Sequence, residues 1–154
     1  MLAGPALADP PILAVEPRVG QGVALGGRSG EGHARLSPLG IGVLVEYAFR
    51  ADPWVSVYGG PHAEVLDRGS LGAMAGFRFR PGAGRARVAL GGTGIFVPYT
   101  LGGVTASVGT EVDLFTLPVS FDIEGAAFFA GNDLPPGTVA GQVRLVVGIP
   151  IEVY

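Results

Sequence analysis

Residues 71–97 alternate so strictly that few architectures can hold them. Leu71, Ala73, Ala75, Phe77 and Phe79 occupy every second position, with Gly72, Met74, Gly76, Arg78 and Arg80 between them. Successive side chains of a strand point to opposite faces, so a period of two predicts a strand with one apolar face. Pro81-Gly82-Ala83-Gly84 is a turn signal. Beyond it Ala86, Val88 and Leu90 take the apolar face, and Arg85, Arg87 and Ala89 the other. Four arginines therefore gather on one face at one end of a single hairpin.

The same period runs through the rest of the chain and predicts eight strands. Before the hairpin come a strand built on Leu13, Val15, Val19, Val23 and Leu25, one on Ile41, Val43, Val45, Tyr47 and Phe49, and one on Val55, Val57, Ala63 and Val65. After it come strands on Val104, Ala106, Val108, Val112 and Leu114, on Val119, Phe121, Ile123, Ala127 and Phe129, and on Val139, Val143, Leu145, Val147, Ile149, Ile151 and Val153. Connections at 26–38, 66–70, 98–103 and 131–138 alternate with tighter ones at 51–53, 81–84 and 115–118, giving an up-and-down order with one ragged end and one tight end. Pro17, Pro61 and Pro150 each remove a ladder donor, so bulges or strand ends are expected there.

Composition narrows the choice. Charged residues make up 15% of the chain, against roughly 25–35% for a water-facing surface. No apolar run reaches the roughly 18 residues of a membrane-spanning helix, so a membrane reading has to be a barrel. The absence of cysteine excludes disulfides and thiolate chemistry, and a net charge of −3 gives no support for nucleic-acid binding. The length of 154 residues suits one domain, over 9–154. Ala6-Leu7-Ala8 has the small-x-small form of a signal-peptidase site, so 1–8 reads either as the remnant of an export signal or as a disordered terminus.

Every charge in the eight stretches falls on the polar register. Periodicity alone does not say which face looks outward: a soluble calycin-like carrier would enclose an apolar ligand with the greasy face, and a membrane barrel would turn it to lipid. Three features favour lipid. Gly20, Gly22, Gly40, Gly42, Gly60, Gly72, Gly76, Gly91, Gly109 and Gly148 crowd the polar face, as a narrow lumen requires. Aromatics collect at both strand ends, with Tyr47, Phe49, Trp54, Phe77, Phe79 and Phe115 by the tight turns and Phe96, Tyr99 and Phe129 by the longer loops. The polar-face charges nearly balance, so they can pair when enclosed.

In these respects the chain, over 12–154, resembles the small outer-membrane β-barrel family of the eight-stranded OmpA, OmpX and OmpW type. Tyr154 stands where that family carries a terminal aromatic. The resemblance implies an all-β fold, an eight-stranded antiparallel up-and-down transmembrane β-barrel in the bacterial outer membrane, with short periplasmic turns, longer external loops and the lipid bilayer as its partner. It also implies a structural or surface-interaction role with at most a narrow pore. An external ligand or protein would be met through loops 26–38 and 131–138.

The candidate sites follow from the polar register. Arg78, Arg80, Arg85 and Arg87 lie near the same rim as Glu111, Asp113, Asp122 and Glu124, so they are expected to pair as a lumenal charge network plugging the barrel; binding an anionic ligand is the rival reading. Toward the loop end the lining is small apart from His62, Glu64, Gln142 and Arg144, which with Ser107 form a candidate external-side pocket. His62, Glu64 and Ser107 are the residue types of a hydrolytic triad, which keeps a lipid-modifying enzyme as the alternative, although a hydrogen-bonded structural histidine is far commoner. Two histidines and no cysteine argue against a metal site, His33 being in a loop. Gly91-Gly92-Thr93-Gly94 lies within a strand with no following helix, so it is no phosphate loop and no cofactor is expected.

Overall fold

Alternation of this kind leaves each strand with one apolar and one polar face, and the chain buries the polar one by rolling its sheet into a cylinder. The computed structural model describes residues 13–26, 33–49, 52–66, 69–81 and 85–153. Residues 1–8, Arg50, the turn at 82–84, Tyr154 and most of the glycine-rich part of loop 26–38 lie outside the described residues. Within them run β1 (Leu13–Gly26), β2 (His33–Leu36), β3 (Leu39–Phe49), β4 (Asp52–Val65), β5 (Ser70–Phe79), β6 (Ala86–Val97), β7 (Leu101–Leu114), β8 (Leu117–Ala130), β9 (Ala140–Gly148) and β10 (Ile151–Val153).

Two of the breaks interrupt single staves. β2 and β3 both lie antiparallel on β1, and at the break between them Ser37 N donates to Gly22 O at 2.9 Å while Gly22 N donates to Ser37 Oγ at 2.9 Å. β9 and β10 also lie on β1 in one continuous register, from Arg18↔Gly148 to Leu13↔Val153. Eight antiparallel staves remain, each paired with its neighbours in sequence, and the pairing of β1 with β9 closes the ring. Following register from Leu13 through Tyr47, Val57, Phe77, Leu90, Ala106, Gly125 and Val143 returns to β1 at Val23, ten residues further along. That stagger inclines the strands by about 40° and gives a backbone radius of roughly 8 Å.

The apolar face is outside. Val43 is 40% exposed and Val88 39%, whereas Arg78 is 2% exposed. Tyr47, Phe49, Trp54, Phe77 and Phe79 form an outward band near the tight-turn end, with Tyr47 and Phe49 in edge-to-face contact at 5.8 Å. Phe96 and Phe129 stand outward near the other end.

Several boundaries differ from those expected. Residues 33–36, placed in a loop by their glycine-rich and charged surroundings, are strand β2, because the β1 edge offers them a ladder. β7 begins at Leu101 rather than after 103, and Pro118 belongs to β8. Pro150 ends a strand as expected, and the β8–β9 ladder stops at Ser120↔Gly148, short of the point where Pro118 and Pro150 would face each other. Beside Pro61 the β3–β4 pairing lapses between Gly42↔His62 and Val45↔Gly59. Pro17 makes no bulge: it pairs with Val43, its carbonyl accepts from Ile149 N at 3.0 Å, and its missing donor faces the gap between β9 and β10.

Candidate functional site in the barrel lumen

The inward register brings charges from all around the cylinder to its axis. Glu16, from β1, accepts from Arg78 Nη1 at 2.9 Å, from Arg87 Nη2 at 3.0 Å and from Ser120 Oγ at 3.1 Å. Arg87 is 1% exposed, donates Nε to Asp122 at 2.8 Å, bonds that carboxylate again through Nη2, and reaches Glu111 with Nη1 at 3.3 Å. Such a fork uses the planar geometry of guanidinium against a carboxylate. Glu46 accepts from Arg78, from Arg80 and from Ser56 Oγ at 2.5 Å. Arg80 also lies 3.6 Å from Glu111, and the Arg78 guanidinium sits 5.4 Å over the Tyr58 ring. This tier lies in the tight-turn half, and Arg85 pairs with Asp113 at 2.5 Å on its exposed rim.

A second tier lies toward the loop end. Glu124 accepts from Arg18 and from Arg144 Nη2 at 3.2 Å. Glu64 accepts from Ser70 Oγ and Gln142 Nε2, each at 3.2 Å, with Arg144 Nη1 at 3.7 Å. Among the described residues each buried charge thus has an opposite charge beside it, as a low-dielectric interior demands. Leu44, Tyr58, Met74 and Ala89 form a buried apolar cluster on the β3–β6 side of the bore, between the tiers.

Two cavities adjoin the upper tier. Arg18, His62, Glu124 and Arg144 surround a small one of about 20 Å³, room for roughly one water. His62 packs over Gly72, where a Cβ would come within 2.7 Å of the imidazole ring, and His62 Nδ1 is buried without a hydrogen-bond partner. Above lies a mouth of about 270 Å³, lined by Leu25, Arg35, Glu64, Ile95, Tyr99, Phe128 and Gln142 among others.

The residues singled out from the sequence are distributed as follows. Arg87 meets Asp122 and Glu111, Arg80 meets Glu111, and Arg85 meets Asp113. Arg78 takes Glu16 and Glu46 instead of any of the four expected acids, and Glu124 sits a tier higher with Arg18 and Arg144. Expectation had run along neighbouring strands, but the bore is narrow enough for an arginine to cross it. Glu16 and Glu46 were therefore missed as partners, although their distance from the tight end, counted in residues, matches that of Arg78. Of the five pocket candidates, Glu64 and Gln142 line the mouth, His62 and Arg144 line the small cavity, and Ser107 lines neither. Ser107 stands on β7 opposite Glu124, while Glu64 is bonded to Ser70 and Gln142, so His62, Glu64 and Ser107 are not assembled as a triad. Ile95 and Phe128 were missed at the mouth; their signal was a large apolar side chain on a register whose loop-end positions are otherwise polar or small.

No family model matches the chain, and no curated protein does. Solved structures of similar fold include the following two. One is Ail, the attachment invasion locus protein of Yersinia pestis, with a TM-score of 0.54 and 12% identity over 92% of this chain and 99% of that one. The other is neisserial surface protein A, with a TM-score of 0.55 and 9% identity over 89% of this chain and 96% of that one. At this identity the likeness is one of architecture: the chain has the fold of the small eight-stranded outer-membrane β-barrels.

Proposed function

We propose that the protein spans the outer membrane of a bacterium as a barrel with a largely plugged lumen, at most a narrow pore, and a structural or surface-interaction role. Its apolar wall contacts the bilayer, and loops 26–38 and 131–138 meet any external ligand or protein. The observation that carries this reading is the pairing of the bore: Arg87, fully buried, is held by Glu16, Glu111 and Asp122 while Val43 and Val88 face outward. Ions entering such a lumen would have to displace charge-assisted hydrogen bonds whose loss strands buried charge. The names of the two similar structures, an attachment invasion locus protein and a surface protein, support a role at the cell surface. Reconstitution in planar bilayers tests the plugged lumen. Baseline current with rare, brief openings is expected; a large steady conductance would overturn it.

A further inference from the structure

The lumenal register is polar or small along most of its length, yet at the loop end it carries Ile95 and Phe128, both buried. With Leu25, Tyr99 and Leu101 they wall the 270 Å³ mouth, whose inner lining includes Glu64 and Gln142. Apolar walls converging on a few polar groups are the ordinary form of a small-molecule site. Among them, the oxygens of Glu64 and Gln142 favour a donor. Gln142 spends an Nε2 hydrogen on Glu64, which leaves its own carbonyl oxygen as an acceptor beside an acceptor-only carboxylate.

Glu64 also differs from the other buried acids in its partners. Its hydrogen bonds come from Ser70 and Gln142, both neutral. Arg144 stands 3.7 Å away, beyond hydrogen-bond reach, and gives its shorter bond to Glu124. His33 and Arg35 of β2 also line the mouth, from positions in register with Gly26 and Ala24 on β1, and Arg35 is already engaged in an interaction of its own.

We infer that this mouth binds a small amine, with its ammonium at Glu64 and Gln142 and its apolar body between Ile95, Tyr99 and Phe128. A mouth of about 270 Å³ has room for a small arylalkylamine. Aromatic walls add cation–π attraction to the carboxylate. The inference is independent of whether the lower bore conducts.

Phenethylamine titrated into the protein in phosphatidylcholine nanodiscs, followed by NMR, tests it. Binding with a Kd on the order of 1 mM is expected for so small a ligand, shifting signals of Ile95, Phe128 and Gln142, with phenylacetate bound at least about tenfold more weakly. Glu64→Gln should weaken the amine about tenfold. Ala140→Trp, which fills the mouth and leaves Glu64 in place, should abolish binding and keeps the test open should the first variant fail to fold. The inference is overturned by any of four results: no shift up to about 10 mM amine, equal affinity for phenylacetate, undiminished binding in Ala140→Trp, or shifts confined to the lipid-facing Val43 and Val88.

Discussion

Arg87 and Arg85 are two residues apart, face the same way and each meet a carboxylate, but their surroundings separate them. Arg87 is buried among Glu16, Glu111 and Asp122, so truncating it strands Glu16 and Asp122, which water does not reach. Arg87→Met should therefore cost about 3–5 kcal/mol, read as a lowered urea midpoint for loss of the heat-modifiable folded band. Arg85 and Asp113 are each 58% exposed, so Arg85→Met should cost no more than about 1 kcal/mol. Equal losses would mean that the rim and the bore are equally wet. Glycines divide along the same line. A Cβ at Gly148 would lie 2.5 Å from Glu16 Oε1 and 2.7 Å from Ser120 Oγ, both held by mutual hydrogen bonding. Gly148→Ala should then cost about 1–3 kcal/mol through crowding. A Cβ at Gly125 meets nothing closer than 4.0 Å, so Gly125→Ala should be neutral or stabilise by about 0.5 kcal/mol. The same urea titration distinguishes the two.

At the scale of elements, the β7–β8 connection is the most strained of the described turns. Phe115 and Thr116 have φ of 50° and 75°, giving a two-residue turn of the twist that antiparallel strands prefer. Such a turn favours Asn-Gly, and Thr is β-branched, which makes positive φ costly. Thr116→Gly should raise stability by about 1 kcal/mol, and an unchanged urea midpoint would show that the turn is not under load. The contrast between turns and strands also explains what was legible in the sequence. The strands were readable because a period of two shows which residues share a face whatever the neighbours do. β2 was not, because four residues of mixed character become a strand only when β1 supplies a partner edge. The lumenal charges were readable as a set, since they share the polar register. Their partners were not: which acid meets Arg78 depends on the stagger around the whole cylinder, which no local stretch encodes.

For the whole molecule, sidedness makes a depth-dependent prediction that a water-facing wall would not. Leu90 lies on the outer face about midway along β6, and Leu36 on β2 at the loop end, both well exposed. If the wall faces lipid, Leu90→Arg carries a charge into the middle of the apolar belt and should cost about 2–4 kcal/mol, whereas Leu36→Arg, near or beyond the interface, should cost no more than about 1 kcal/mol. If it faced water, both arginines would be solvated and would relieve an apolar surface, so neither would destabilise. Folding titrations of both variants in phospholipid vesicles separate the cases, with tryptophan emission from Trp54, the sole tryptophan, as the signal. The comparison between depths is the informative part. A general loss of stability would act alike at both positions, while the cost of bringing a guanidinium into hydrocarbon falls toward zero as the side chain approaches the headgroups. A steep difference between Leu90 and Leu36 is therefore expected, and equal effects would remove the bilayer from the account of this fold.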